Sequence, residues 1–306
     1  MTNLSAQPDQ QVFHTHRRLL FSVAYRLLGS AADAEDTVQD AWIKWSAAER
    51  SQVADPKAYL TRIVSNLALE RLRSTRHKRE TYVGPWLPEP ILTGNDASEI
   101  VTDAESVSMA MLVVLETLSP LERAVFVLKE VFGFSHAEIA EAVERSEAAV
   151  RQAAHRAREH VRAGRPRFTA DRSRQREATE QFLAAAAGGD VNALMELLSP
   201  DVTLWTDGGG KVRQALRPVV GAATVAAWFA SIGTVSYQGV EPADMKAELV
   251  EINAGPGIVF SGHGRVIATL TFDFDADGRI ATLHNVANPD KLQAVADGTA
   301  YDIRTR

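Results

Sequence analysis

The sequence predicts a multidomain chain: two all-α blocks joined by an acidic connector, then an α+β domain with a curved antiparallel sheet. Three observations lead there. Apolar positions recur at helical spacing, punctuated by capping signals, up to about residue 165. From Val202 onward the pattern changes to short alternating runs separated by glycine turns. Charge is divided unevenly. Residues 1–80 carry 12 Lys/Arg against 9 Asp/Glu, residues 81–107 carry none against 5, residues 108–176 carry 12 against 9, and residues 177–306 carry 9 against 16. Two mildly basic blocks are therefore separated by an acidic connector and followed by an acidic third, although the whole chain has a net charge of −6.

Length and composition set the outer bounds. A chain of 306 residues suggests two or three domains, and 45% hydrophobic residues give each enough to bury a core. The absence of cysteine excludes disulfides, thiolate metal sites and a cysteine nucleophile. No apolar run approaches the roughly 20 residues of a membrane span, and the first ten residues lack the basic and apolar regions of a secretion signal. A cytoplasmic protein is expected.

The first block reads as three helices. Gln10–Leu28 places Phe13, Leu20, Ala24 and Leu27 at core spacing and stops at Gly29. Asp33–Ala48 sets Asp33, Asp36 and Asp40 along one side, with Val38, Ala41, Trp42 and Trp45 as apolar contacts. The third starts at Asp55-Pro56, a capping aspartate before a first-turn proline, and runs through Leu60, Ile63, Val64, Leu67 and Leu72 into a cluster of arginines. That cluster is either a solvated helix end or a phosphate-contacting patch.

The connector contains W-L-P-E-P at Trp86–Pro90, where two prolines favour an extended, stiff chain. Trp86 and Leu87 are too apolar for a plain tether and are expected to dock on a folded domain. Beyond it, Phe134–Val161 reads as two short helices joined by a tight turn. Ser135 and Glu138 make a capping box for the first helix. Ser146 caps the second, where Val150, Ala154, Ala157 and Val161 recur at helical spacing and arginines fill the other faces. The pair fits a helix-turn-helix entering a major groove, or a helical hairpin with a solvated basic face.

The last third begins with helices at Arg176–Ala187 and Val191–Leu198, parted by Gly188-Gly189-Asp190. Val202–Thr206 reads as a strand running into D-G-G-G-K at Asp207–Lys211. This is no phosphate loop, because it lacks the G-x-x-x-x-G-K-[ST] spacing. Three glycines suggest close approach of another backbone, with Asp207 and Lys211 framing it. Val225–Ile232 reads as a helix. Val235–Val240, Ala247–Ile252, Ile258–Ser261, Arg265–Phe274 and Ile280–Val286 read as strands, with Asp277-Gly278 a hairpin turn.

On these motifs the first 165 residues resemble the extracytoplasmic-function sigma factors of bacterial RNA polymerase. D-A-E-D-T-V-Q-D-A-W at Asp33–Trp42 and A-Y-L-T-R-I-V-S-N-L-A-L-E-R-L-R at Ala58–Arg73 resemble their region 2. L-S-P-L-E-R-A-V-F-V-L at Leu118–Leu128, ahead of the helix-turn-helix, resembles region 4. The resemblance implies that region 2 binds the polymerase core and opens the −10 promoter element, while region 4 reads the −35 element. Carried onto this sequence, Asp33, Asp36, Gln39, Asp40 and Trp42 form the expected polymerase-binding face. Lys57, Tyr59, Arg62 and Asn66 are candidates for unstacked bases, with Arg71, Arg73, Arg76 and Arg79 on phosphates. Ala148, Arg151, Gln152, His155 and Arg156 are expected at base edges, and Arg158, like Arg162, at phosphates.

The final third resembles the SnoaL-like cone-shaped fold, whose sheet wraps an apolar pocket. W-L-P-E-P, D-G-G-G-K and N-P-D-K-L at Asn288–Leu292 together resemble the SigJ-type subgroup of these sigma factors, in which a fused SnoaL-like domain regulates in cis. The expected divisions are region 2 over 8–80, an acidic linker over 81–107, region 4 over 108–165 and the SnoaL-like domain over 174–300. The regulatory contacts are expected among Trp86, Leu87, Pro88, Glu89, Pro90, Asp207, Gly208, Gly209, Gly210, Lys211, Asn288, Pro289, Asp290 and Lys291, with Lys291 available to an acid such as Glu89.

Expected partners are the polymerase core and promoter DNA, with a small molecule in the pocket a further candidate. No metal, cofactor or catalytic residue is expected. Asp207, His263 and His284, in a pocket lined by Trp205, Trp228, Phe229 and Phe260, are the alternative acid–base set. Two other readings stay open: a SnoaL-like isomerase or cyclase with a DNA-binding appendage, and a ligand-responsive helix-turn-helix regulator.

Overall fold

The structure is a computed structural model that describes residues 6–48, 53–94, 107–164, 171–231 and 234–303, with the backbone alone at 6–9, 76–80 and 164. The side chains of Arg76 and Arg79 and the linker stretch 95–106 lie outside the described residues.

Helices α1 (Ala6–Leu28), α2 (Ala31–Ala47) and α3 (Pro56–Glu80) pack into one bundle. Gly29, at φ +66°, ends α1 in a left-handed conformation that suits glycine. Ser30 then caps α2, accepting from the Asp33 amide. Asp55 accepts from the Ala58 amide at 3.1 Å and starts α3 as expected. Leu20, Ala24, Leu27, Val38, Trp45, Leu60 and Val64 form the bundle core.

The second helical block comprises α4 (Met109–Glu116), α5 (Pro120–Phe126), a π turn at Val127–Val131, α6 (His136–Ala142) and α7 (Glu147–Gly164). Ser119 with Glu122 and Ser135 with Glu138 both close full capping boxes. The two helical blocks share one hydrophobic core, and α6 rests against α3.

After α8 (Arg172–Gly188) and α9 (Val191–Leu197) comes an eight-stranded sheet. In chain order its strands are β1 (Leu92–Thr93), β2 (Leu198–Asp207), β3 (Val219–Val220), β4 (Lys246–Ile252), β5 (Gly255–Gly262), β6 (Arg265–Phe274), β7 (Ile280–Val286) and β8 (Ala300–Tyr301). The spatial order is β3-β2-β7-β6-β5-β4-β1-β8. Strands β4 to β7 form an antiparallel meander, and β2 joins β7 in parallel. The inner face buries Leu204, Ile258, Leu270, Phe272 and Leu283 against α8 and α10 (Ala222–Ala230), with Phe182 edge-on to Phe229 at 4.9 Å.

Val235–Val240 is a correction to the sequence reading. It forms a tight turn closed by a Tyr237–Val240 bridge, because Gln238 and Gly239 both take positive φ. Three strands were illegible: β1, β3 and β8, each two residues long with no period to read. β1 comes from the linker and β8 from the C-terminal tail. Leu92 pairs with Ile252 of β4 on one side and Ala300 of β8 on the other, so the linker is a strand of the C-terminal domain's sheet. The tail continues onto α1. Tyr301 stacks on Phe21 at 4.7 Å, and Ser22 Oγ donates to the Ile303 carbonyl at 2.9 Å.

Candidate functional site

Three motifs far apart in sequence meet around one buried carboxylate. Asp207 ends β2 and is fully buried. Its carboxylate accepts from Tyr82 Oη at 2.5 Å, the Leu87 amide at 2.8 Å and Lys291 Nζ at 2.7 Å. Its carbonyl accepts from the amides of Ala287 and Asn288. Lys291 also donates to the Leu87 carbonyl at 2.5 Å and lies 3.7 Å over the Trp86 ring and 4.8 Å over that of Tyr82. Asn288 Nδ2 donates to Tyr82 Oη at 2.7 Å.

The backbone of this knot follows from local chemistry. Pro289 starts a short 3-10 turn capped by Asn288, which swings Lys291 back under the linker. Gly209, at φ +59°, has no room for a side chain: a β-carbon would lie 2.6 Å from Asn288 Cγ and 2.9 Å from Tyr82 Oη. Gly210 runs close along Val83, where a β-carbon would lie 3.2 Å from Val83 Cβ. Leu87 then seats its side chain in a cluster with Met109, Val286 and Leu292. Burial lowers the Lys291 pKa, and the Asp207 carboxylate opposes that shift. Burial first, then Asp207, raises that of Tyr82.

The expected Lys291–Glu89 pair is not formed. Lys291 takes Asp207, and Glu89 turns the other way to the start of α2. There its carboxylate accepts from Ser30 Oγ at 2.8 Å and the Ala31 amide at 2.7 Å, a position favoured by the helix dipole. Burial raises its pKa, and those hydrogen bonds oppose the rise. Pro88 and Pro90 are buried on either side. Lys211, outside the knot, pairs with Asp290 at 2.6 Å.

Sequence reasoning missed Tyr82, Tyr25 and Asn253. Asn253, in the β4–β5 turn at φ +52°, donates to Tyr25 Oη and the Val107 carbonyl and accepts from the Ile91 amide. Tyr25 in turn donates to the Glu89 carbonyl at 2.6 Å. The N-A-G turn at Asn253 was the available signal, but its partners come from three distant segments.

On α7, Ala148, Arg151, Gln152, His155, Arg156 and Arg158 are all exposed along one side of the helix. Arg151 pairs with Glu147 at 2.9 Å, while Arg156 and Arg158 reach Glu122 and Glu130. On α3, Lys57 and Arg73 are exposed. Tyr59 is half-buried beside Trp45, at 5.9 Å. Arg62 pairs with Glu141 of α6 at 2.9 Å, and Asn66 faces Glu144 at 3.5 Å. The second block thus lays acids over the candidate strand-opening face. Arg71, expected on phosphates, is partly buried and pairs with the acids of α2, with Asp40 at 2.6 Å and Asp33 and Asp36 within 3.7 Å. On α2, Asp36, Gln39 and Ile43 form an exposed strip, while Trp42 packs edge-on against Phe13.

The inner face of the sheet carries a half-open cavity of about 510 Å³ lined by Trp228, Phe229, Tyr237, Phe260, Asn285 and the Arg213–Ala215 segment. Trp205 is not in it. It lies on the outer face with the Leu87 cluster, because Leu204 takes the inward position. The alternative acid–base set is also dispersed. Asp207 holds the linker, His263 is an exposed turn residue near Asp244, and His284 is buried on the outer face beside Asp273. No cluster of three or more metal-ligating side chains occurs among the described residues.

Residues 12–78 match the Sigma-70 region 2 family, and residues 108–161 match Sigma-70, region 4. The chain is 41% identical over 289 residues to the ECF RNA polymerase sigma factor SigJ of Mycobacterium tuberculosis (strain ATCC 25618 / H37Rv), covering 92% of each chain. It is 32% identical over 198 residues to the probable ECF RNA polymerase sigma factor SigI of the same strain, covering 64% of this chain and 68% of that one. The crystal structure of the M. tuberculosis extracytoplasmic function sigma factor SigJ superposes with a TM-score of 0.72 at 37% identity, covering 92% of this chain and 97% of that one.

Proposed function

The chain belongs to the extracytoplasmic-function sigma factors of RNA polymerase, and on that premise we propose that its C-terminal domain controls promoter-directed transcription by gripping the linker between regions 2 and 4. The observation that carries this reading is the Asp207 knot. One buried carboxylate engages Tyr82, the Leu87 amide and Lys291, and the next linker segment is a strand of the domain's own sheet. A linker held in this way fixes the distance between the two DNA-reading blocks.

Region 2 works through Lys57, Tyr59, Arg62, Asn66 and Arg73 on the −10 element. Region 4 works through Arg151, Gln152 and Arg156 on the −35 element, and Asp36 with Gln39 meets the polymerase core. In the gripped state the Arg62–Glu141 and Asn66–Glu144 contacts occupy part of the region 2 face, so release of the linker is what frees it. The C-terminal domain is read as a regulator rather than an enzyme because Asp207, His263 and His284 share no pocket. Its cavity is the place for a small molecule. The work is done in the cytoplasm with core polymerase and promoter DNA; no described helix is long and apolar enough to cross a membrane.

Run-off transcription with core polymerase tests the reading. Asp207→Ala should change promoter-dependent transcript yield while leaving core binding intact. Unchanged transcription, with the linker shown by hydrogen exchange to be released, would overturn it.

A further inference from the structure

The cavity and the linker grip share a wall. Gln214 lines the cavity, and its side chain packs on the D-G-G-G-K turn, so that a β-carbon at Gly208 would lie 2.9 Å from Gln214 Cγ. That turn begins at Asp207 and is closed by the amides of Lys211 and Val212 donating to the Gly208 carbonyl. Thr206, one residue before the knot, donates to the Ala215 carbonyl at 2.9 Å. The far wall leads to the same place. Asn285 lines the cavity, and the chain running on from it supplies the Ala287 and Asn288 amides bound to Asp207.

Gln214 also carries an unmet hydrogen bond. One end of its amide reaches Tyr237 Oη, and the other end is buried without a partner. A buried polar atom in that state is costly, and a bound group that meets it recovers the loss. A hydroxyl can donate or accept, so it meets the amide in either flip. Trp228, Phe229, Met245 and Phe260 give the cavity flat apolar surface for a ring, beside the more polar Arg213, Ser231 and Ser236. A volume of about 510 Å³ falls in the range of small-molecule sites.

We infer that this cavity receives a mainly apolar ring compound bearing a hydroxyl, and that its occupant tightens the grip on the linker. The inference rests on the reading of the linker given above. The hydroxyl holds Gln214 in place, Gln214 supports the turn, and the turn presents Asp207 to the Leu87 amide. A compound that favours the seated form of Gln214 shifts the whole equilibrium toward the gripped linker.

The probes are 1-naphthol and 1-methylnaphthalene, which share a bicyclic body and differ in the hydroxyl. Calorimetric titration of the full chain should give saturable binding of 1-naphthol, at least about tenfold tighter than 1-methylnaphthalene. Gln214→Met should abolish that preference; the two-probe comparison on the native chain stands even if the variant folds poorly. Hydrogen exchange of the Leu87 amide should slow by up to about elevenfold at ten times Kd. Absent 1-naphthol binding, equal affinities, or a Leu87 amide that exchanges no slower when the probe is bound would each overturn the inference. A Leu87 amide that exchanges at the free-peptide rate without any probe would instead sink the linker reading itself.

Discussion

Lys291 Nζ lies 2.7 Å from Asp207 Oδ2, and the two side chains are 7% and 0% exposed, so neither charge has water in reserve. Removing one partner strands the other. Lys291→Met should cost about 3–5 kcal/mol of stability. Urea unfolding measures it, and Lys291→Met with Asp207→Asn should recover much of the loss. Additive losses would show that the two groups do not depend on each other.

The contact between α6 and α3 should be weak by comparison. Arg62 and Glu141 are 42% and 72% exposed, which limits their ion pair to about 0–1 kcal/mol. Glu141→Lys should open the face and raise affinity for single-stranded −10 DNA up to about fivefold, as read by fluorescence anisotropy. No change in affinity would mean that α6 does not screen the region 2 face.

Asp36 and Asp40 differ although both sit on α2. Asp40 holds Arg71 at 2.6 Å, whereas Asp36 is 67% exposed and 3.6 Å away. Asp36→Lys should weaken polymerase-core binding with the melting temperature unchanged. Asp40→Lys should lower both. A stable Asp36→Lys protein that binds core normally would remove Asp36 from the docking face.

On α7, Arg151 is exposed and pairs with Glu147, one turn earlier. Arg151→Ala should cost about 1–3 kcal/mol on the −35 element and relax specificity there. Arg162→Ala should weaken all sequences alike and flatten the salt dependence. Identical specificity profiles for wild type and Arg151→Ala would contradict the base-edge role.

The outer face of the sheet gives a pH signature. Burial pushes Asp273 up to about 7 and His284 down to about 4. Folded Asp273 keeps a proton that the unfolded chain releases near 3.8, so its stabilisation is present at low pH and is lost as pH rises from about 4 to about 7. His284 acts oppositely: the folded ring refuses a proton that the unfolded chain takes near 6.5, so stability falls as pH drops from there toward 4. Asp273→Asn removes only the first effect. Its melting temperature relative to wild type should therefore climb between pH 4.5 and 7 and level off above. A difference independent of pH would exclude this.

What the sequence by itself determined was local. The Ser135–Glu138 capping box, the Asp55-Pro56 start of α3 and the core spacing of α1 to α3 all depend on residues within one or two helical turns. Such signals survive in a linear reading because their partners are neighbours in the chain. The three short motifs were visible as unusual stretches for the same reason: prolines stiffen, glycines permit close approach, and an exposed tryptophan wants cover. Tertiary structure decided the rest. Lys291 chose Asp207 over Glu89, Trp205 faced the linker while Leu204 faced the core, and Arg71 turned to the acids of α2. The linker became a strand because β4 offered an open edge and the tail covered the other side. Each of these outcomes depends on which of several chemically equivalent partners the packing of distant segments brings within hydrogen-bonding reach.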